Sequence, residues 1–351
     1  MSLNQAVLLS KKSVLMIVRK YPADFGHTTV INNLCVELQK MGYTTGIGAF
    51  DFSMPPPENI QQVKLNKFQL LLHGVKNLNY DVIILHQTFP NYFLLTKKPD
   101  KPVILYYHGA SNKIQKINFK IMMMLYKNRI SRIVSVSQAG INQMIKMIGN
   151  ISSDVIYNGV DTDFYNPELP RPYKKGNPQL LFVSALRPYK KASILINTMP
   201  ELLKKYPNSH LQIVGTGEEV THLENLIKKM NLEKCVELTG RIDNEELKLR
   251  YSSCDIYVSA STFEVCPVPT LEAMACGKPL VLFDIEPHRE IIKISNAGKI
   301  FSFEKNLDLI TILDDVYKNK DSFKIHALNF AKSHDWKLIT KQLIHIFEKL
   351  D

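Results

Sequence analysis

Two carboxylates eight residues apart, Glu264 and Glu272, lie in the stretch Ser259–Gly277, S-A-S-T-F-E-V-C-P-V-P-T-L-E-A-M-A-C-G. The apolar run Ile256–Val258 before it reads as a short buried strand, so Glu264 falls on the loop at that strand's carboxyl end. Pro269 stands where a helix would begin and Gly277 where it would end, which places Glu272 in the first turn of that helix. In an open α/β sheet, ligands bind in the crevice at the carboxyl ends of the strands. An ionised carboxylate only accepts hydrogen bonds, through two oxygens, so it suits a pair of sugar hydroxyls and repels a phosphate. A helix N-terminus does the reverse and welcomes phosphate. A nucleotide sugar carries both kinds of group. By themselves the same two residues also fit a plainer role, Glu272 complementing a helix dipole and Glu264 solvated on its loop.

Other polar residues fall at strand ends. The apolar runs Asp81–Leu85 and Val103–Tyr107 read as buried strands that end at His86 and at His108-Gly109. A single histidine after a strand is more often structural than catalytic; two at one sheet edge reverse that for His108 but not for His86. Val14–Val18 reads as a strand, Arg19–Gly26 as a loop, and Thr28–Met41 as an amphipathic helix with Val30, Leu34 and Leu38 on one face and Gly42 as its stop. Ile133–Val136 reads as a strand, and Ser137 as the N-cap of the next helix. Further on, the strand Gln179–Val183 precedes a basic cluster, Arg187, Lys190 and Lys191, and then an apolar-periodic helix. Leu211–Val214 leads into the turn Gly215-Thr216-Gly217-Glu218.

A chain of 351 residues with 45% apolar content is long enough for two domains with sizeable cores. No apolar run approaches the ~20 residues of a membrane span, and Met1–Ser13 lacks the apolar segment of a leader, so a cytoplasmic protein is expected. Cys35, Cys235, Cys254, Cys266 and Cys276 show neither a C-x-x-C pair nor zinc spacing and read as reduced, mostly buried thiols. The net charge of +11 is uneven: residues 1–160 hold 18 Lys and Arg against 7 Asp and Glu, and the remainder is neutral. A basic N-terminal half implies an anionic partner, or else a surface kept basic for solubility. Within it, Lys113–Arg132 mixes Ile117, Ile121 and Met122–Leu125 with six basic residues, Lys113, Lys116, Lys120, Lys127, Arg129 and Arg132. Such a helix either lies on anionic lipid, at about 1 kcal/mol per basic residue, or packs its methionines into a core. Nucleic acid is not expected, because no aromatic-basic motif supports it.

The stretch from Glu264 through Glu272-Ala273-Met274-Ala275-Cys276-Gly277-Lys278-Pro279 resembles the signature of the retaining glycosyltransferases of family 4. The resemblance extends over nearly the whole chain. Gly26, sixteen residues before Gly42, matches the second of the family's paired glycines, with Phe25 at the first. His86 matches the second histidine of D-V-x-H-x-H, with Ile84 at the first, and His108 matches the family's active-site histidine. Tyr157-Asn158-Gly159-Val160-Asp161 resembles the N-G-V-D that closes the first domain, so Asp161-Thr162-Asp163 is read as linker and not as a metal site. Ser184–Lys191 resembles G-R-L-x-x-x-K-G, with Lys190 on the lysine, Lys191 on the glycine, Ala185 on the arginine, and Arg187 placed to supply the displaced guanidinium. Leu238–Arg241 resembles the segment bordering the nucleotide base, and Glu290 the family's later glutamate. Where the family has E-G-F-G-x-P, this chain has Glu264-Val265-Cys266-Pro267-Val268-Pro269, and Pro267 has no N–H to offer a ligand.

The resemblance implies a GT-B fold: two Rossmann-like, doubly wound α/β domains facing across a cleft. Residues 1–165 would bind the acceptor, 166–335 the nucleotide sugar, and 336–351 would form a helix crossing back to the first domain. The implied reaction is sugar transfer from a UDP- or GDP-sugar to a saccharide or lipid-linked acceptor, with retention and without metal or other cofactor. Glu264, Lys190, Arg187 and His108 would be catalytic. Gly26, Glu272, Gly215, Arg241, Val268 and Pro269 would hold the donor, with His86 and Ser137 on the acceptor side. The expected setting is glycan, glycolipid or cell-envelope synthesis, in the cytoplasm or peripherally on the inner face of the membrane. Two alternatives stay open. A nucleotide-sugar epimerase or hydrolase would turn over donor alone, and a non-catalytic membrane-associated homologue would not turn it over.

Overall fold

The computed structural model of the chain describes residues 12–23, 26–302 and 308–350. Phe25, at the position of the family's first paired glycine, and residues 1–11 lie outside the described residues. The chain divides into two compact units, one running to Tyr157 and taking in Trp336 onward, the other Asn158–Asp335.

The first unit runs β1 (Ser13–Ile17), β2 (Lys20–Tyr21), α1 (His27–Lys40), β3 (Thr44–Ala49), β4 (Asp51–Phe52), β5 (Gln61–Lys64), α2 (Lys67–His73), β6 (Val82–Leu85), α3 (Thr88–Leu94), β7 (Val103–Tyr107), α4 (Lys113–Tyr126), β8 (Arg132–Ser135), α5 (Gln138–Ile148) and β9 (Asp154–Val155). Seven of these strands form one parallel sheet in the order β5-β3-β1-β6-β7-β8-β9, while β2 and β4 pair separately. Val14–Ile17, Val82–Leu85 and Val103–Tyr107 are apolar at every position because helices cover both faces of a parallel sheet. From β1 the chain builds outward through β3 and β5, then returns to the other side of β1 to lay down β6–β9. The loops after β1 and β6 therefore diverge, and a crevice opens between them.

The second unit runs β10 (Gln179–Val183), α6 (Ala192–Lys205), β11 (His210–Val214), α7 (Val220–Lys229), β12 (Val236–Gly240), α8 (Asn244–Ser253), β13 (Ile256–Ser259), α9 (Val268–Ala275), β14 (Leu280–Phe283), α10 (Glu286–Ser295), β15 (Gly298–Phe301), α11 (Leu309–Lys318) and α12 (Lys320–Ser333). Its parallel sheet, β12-β11-β10-β13-β14-β15, reverses in the same way between β10 and β13. Both units are thus doubly wound Rossmann-like α/β layers.

By contacts the division falls after Tyr157, because the linker segment packs on the second unit. Val160 and Tyr165 are buried with Leu271 and Met274, and Val160 bridges to Asp335. Asp161 accepts hydrogen bonds from the N–H groups of Asp163 (3.1 Å) and Phe164 (2.9 Å), so its carboxylate closes a turn. The last helix, α13 (Trp336–Glu348), packs on α1 of the first unit; Tyr43 donates to Glu348 at 2.6 Å and stands edge-on to Phe347. No helix among the described residues is long and apolar enough to cross a membrane.

Candidate functional site

In the second unit, the loops after β10 and β13 meet at the point where the strand order reverses. Thr262 ties them, donating from both its N–H and its hydroxyl to the Tyr189 carbonyl (2.8 and 2.9 Å), and Tyr189 stands edge-on to Phe263. Between them Lys190 Nζ contacts Glu264 Oε1 at 2.5 Å, with both side chains about 15% exposed. In an ion pair so withdrawn from water, removing either partner leaves an uncompensated charge at high cost. Lys190 ends a short 3-10 turn, Pro188–Lys190, that Arg187 opens, and Lys191 takes a left-handed φ of +51° at the position where the family pattern has glycine.

Two glycines hold this cationic loop in place. A Cβ on Gly215 would stand 1.8 Å from the Ser184 carbonyl oxygen, and one on Gly217 2.2 Å from that of Leu186. The loop after β11 therefore packs backbone to backbone on the loop after β10. Gly215, expected to touch the donor, is fixed by that approach and supports the loop that carries Lys190. Arg241 is exposed just past β12, at the same edge of the sheet.

α9 starts at Val268, so Glu272 stands in its second turn and not its first. Its side chain faces into the unit: Glu272 is 8% exposed and accepts a hydrogen bond from Tyr251 at 2.8 Å. Burial pushes its carboxyl up to about 7, while hydrogen bonds from Tyr251 and Tyr165 work in the opposite direction. Pro267 and Pro269 have no N–H; Val268 between them has one, and the Thr270 N–H donates to the Pro267 carbonyl at 3.2 Å. Asn158 of the linker motif donates to the Cys266 carbonyl at 2.8 Å and fixes the loop between the two glutamates. Three more residues belong here that sequence reasoning missed. Tyr165 and Tyr251 carried no local signal, since their partner is distant in sequence. Buried His288 makes a 2.7 Å bond to the Phe283 carbonyl through Nδ1; burial lowers its pKa, and the charge of Glu264 works against that. Glu290 is half-buried on α10.

In the first unit a cavity of about 980 Å³ opens at the β1/β6 reversal. Arg19 and His27 line it from the β1 side, Gln87 from β6, and His108 from the end of β7. The His86 Nδ1 and His108 Nε2 atoms are 2.9 Å apart, and the His27 ring centroid is 4.3 Å from that of His108. Burial pushes His86 down to about 3 and His108 well below its ordinary value, and mutual repulsion with His27 adds to both. At 2.9 Å the facing nitrogens are within hydrogen-bond distance, so an N–H of one ring donates to the other. His86 is 2% exposed and stacks on Tyr106, so it sets the angle of His108. His27, the first residue of α1, was legible only as the neighbour of Gly26. Gly26 itself has φ +77° and open space around its Cβ position, so its backbone and not its surroundings calls for glycine. Ser137, expected on the acceptor side, is 2% exposed, and its hydroxyl caps α5 by accepting from the Gly140 N–H at 3.0 Å.

Known proteins show the same two-part organisation. The profile of Glycosyltransferase Family 4 matches residues 26–164, and that of Glycosyl transferases group 1 matches residues 168–332. An uncharacterized glycosyltransferase of Methanocaldococcus jannaschii is 28% identical over 235 residues, which is 62% of this chain and 60% of that protein. The phosphatidyl-myo-inositol mannosyltransferase of Mycolicibacterium smegmatis is 23% identical over 280 residues, 77% of this chain and 71% of that one. The match to the first of these spans less than two thirds of that relative's length, and a Haemophilus influenzae glycosyltransferase, 34% identical, is matched over 42% of its own. The structure of Anabaena HepE in complex with UDP and glucose superposes with a TM-score of 0.79 at 17% identity, covering 96% of this chain and all of that one. With its fold of two Rossmann-like units and both profiles matched in order along it, the chain belongs to the group 1, family 4 glycosyltransferases and has the GT-B fold.

Proposed function

We propose that the chain transfers a hexose from a UDP- or GDP-sugar to a saccharide or lipid-linked acceptor with retention of anomeric configuration. The second unit takes the donor and the first the acceptor. The observation that carries this reading is the Lys190–Glu264 pair at the β10/β13 reversal, beside the N-terminus of α9. A diphosphate leaving group needs fixed positive charge, and a sugar needs hydroxyl acceptors. When the diphosphate draws Lys190 Nζ, the Glu264 oxygens become available to sugar hydroxyls, so one exchange serves both ends of the donor. Arg187 adds a second cation from the same turn, and no metal is needed. Glu272 takes the ribose hydroxyls, and Val268 N–H, Pro269 and Arg241 border the nucleotide. His108, angled by His86, orients the acceptor hydroxyl.

Retention follows from a front-face displacement. The bond from the anomeric carbon to the phosphate oxygen breaks while the acceptor oxygen bonds to the same face. The acceptor's proton passes to the departing phosphate oxygen, so no separate base is required. Similar proteins favour such a donor and a glycolipid acceptor: Anabaena HepE is seen with UDP and glucose, and the Mycolicibacterium smegmatis relative is a phosphatidyl-myo-inositol mannosyltransferase. We place the activity in glycan, glycolipid or cell-envelope synthesis at the cytoplasmic side. The test is product analysis by NMR after incubation with UDP- and GDP-sugars, an acceptor extract and EDTA. The account expects a product with the donor's anomeric coupling. Inverted product, or sugar released to water or epimerised without an acceptor, would overturn it.

A further inference from the structure

Helix α4 is apolar on two sides. Phe119, Met122 and Met123 are buried in the core of the first unit. Ile114, Ile117, Ile121, Met124 and Leu125 are exposed, Met124 by 74% and Ile114 by 71%. At 3.6 residues per turn these five positions fall in one stripe about 100° wide, on the side away from the buried three. α2 repeats the arrangement: it buries Leu70 and exposes Phe68, Leu71 and Leu72 at i, i+3 and i+4. α3 packs against both helices and adds Phe89. Nine of the fourteen exposed large hydrophobic side chains among the described residues thus lie on three neighbouring helices. Scattered singly they would need no explanation; gathered on one face they call for an occupant.

Charge identifies that occupant. Residues 67–129 hold ten Lys and Arg against Asp81 and Asp100, and no acidic residue lies between Asp100 and Asp154. Lys113, Lys116 and Lys120 run along one flank of the α4 stripe. A second copy of the chain would bring like charge to like. A nucleic acid would match the lysines but not the aliphatic stripe. An anionic phospholipid surface matches both, taking the apolar side chains below its headgroups and the ammonium groups among them. We propose that α2, α3 and α4 dock the first unit on an anionic phospholipid bilayer. The cavity of that unit is bordered by the same helices, through Lys67 and Phe68 of α2, Phe89 of α3, and Gln115 and Asn118 of α4. Docked in this way, the cavity lies beside the lipid surface. Given the glycosyltransferase reading, on which this last step rests, the acceptor is a membrane-resident amphiphile whose head enters the cavity while its chains stay in the bilayer.

The experiment is co-sedimentation of the full chain with phosphatidylcholine vesicles with and without phosphatidylglycerol, beside the triple variant Leu72→Ser, Ile117→Ser, Met124→Ser. The variant keeps the net charge and touches no buried position. Binding is expected to require phosphatidylglycerol, to weaken with salt, and to fall by about tenfold or more in the variant, whose thermal melt is unchanged. No sedimentation with either vesicle overturns the proposal. So does binding that the variant leaves intact, which would be adsorption by charge alone, or a dimer in solution that the variant disperses. Titration of the same samples with UDP and GDP separates the two claims: vesicle binding without nucleotide binding defeats the transferase reading, and nucleotide binding without vesicle binding defeats the docking.

Discussion

Glu272 retains its proton to about pH 7 in the folded chain, against an ordinary value near 4.5. Between those values the unfolded chain binds fewer protons than the folded one, so this group makes stability fall as pH rises through that window. Glu272→Gln is therefore expected to stabilise the second unit at about pH 8, by about 2 kcal/mol, and to have little effect at about pH 4. Ribose hydroxyls donating to the ionised form would pull the group the other way, so donor affinity should rise from about pH 6 to about pH 8 in the wild type and be flat in the variant. Denaturant melts and donor titrations across that range check both; a flat profile in the wild type would remove Glu272 from the donor site. At this scale the sequence named the participants but not their pairings. Lys190 and Glu264 are far apart along the chain, and nothing local joins them. The burial of Glu272 depends on the packing of α9 against α8, whose Tyr251 reaches its carboxylate. His27 and Tyr251 look like any other polar residue until the fold brings them to a partner.

Elements position these residues through backbone contacts as much as through side chains. The loop after β10 is shaped by its approach to Gly215 and Gly217, and the start of α1 by the left-handed Gly26. The two kinds of glycine predict different costs. Gly26→Ala strains only the backbone, about 1 kcal/mol. Gly215→Ala drives a Cβ into the Ser184 carbonyl at an unfavourable φ of +131°, which should cost about 3 kcal/mol or more and displace the Lys190 loop. Urea unfolding of both variants checks this; equal costs would mean that the packing of these loops is not as described. Most core strands were legible as apolar runs, because a parallel sheet buries both faces. Thr44–Ala49 and Gln61–Lys64 were not: the first has two glycines and the second is polar, having only one neighbour in its sheet. Helix α4 packs Met122 and Met123 into the core, as one of its two sequence readings expects, while Met124 stands on the surface.

At the scale of the whole molecule, both units repeat one winding, and each places its polar residues at the point where the strand order reverses. Strand order is set by tertiary contacts and cannot be read from the order of residues, so the sequence supplied the motifs and the fold supplied the reason they converge. The charge division was legible from counting alone: the basic excess belongs to the first unit and the second is close to neutral. That asymmetry fits a division of labour in which the basic unit meets an anionic surface and the neutral one holds donor through a few placed cations. Calorimetric titration of UDP, GDP and their sugar conjugates, in EDTA, into the wild type and Lys190→Ala decides whether the second unit holds a donor in this way. The account predicts that one nucleotide family binds without metal and that Lys190→Ala weakens it by about tenfold or more. Binding by none of them, binding that needs a divalent metal, or undiminished binding in Lys190→Ala would contradict it.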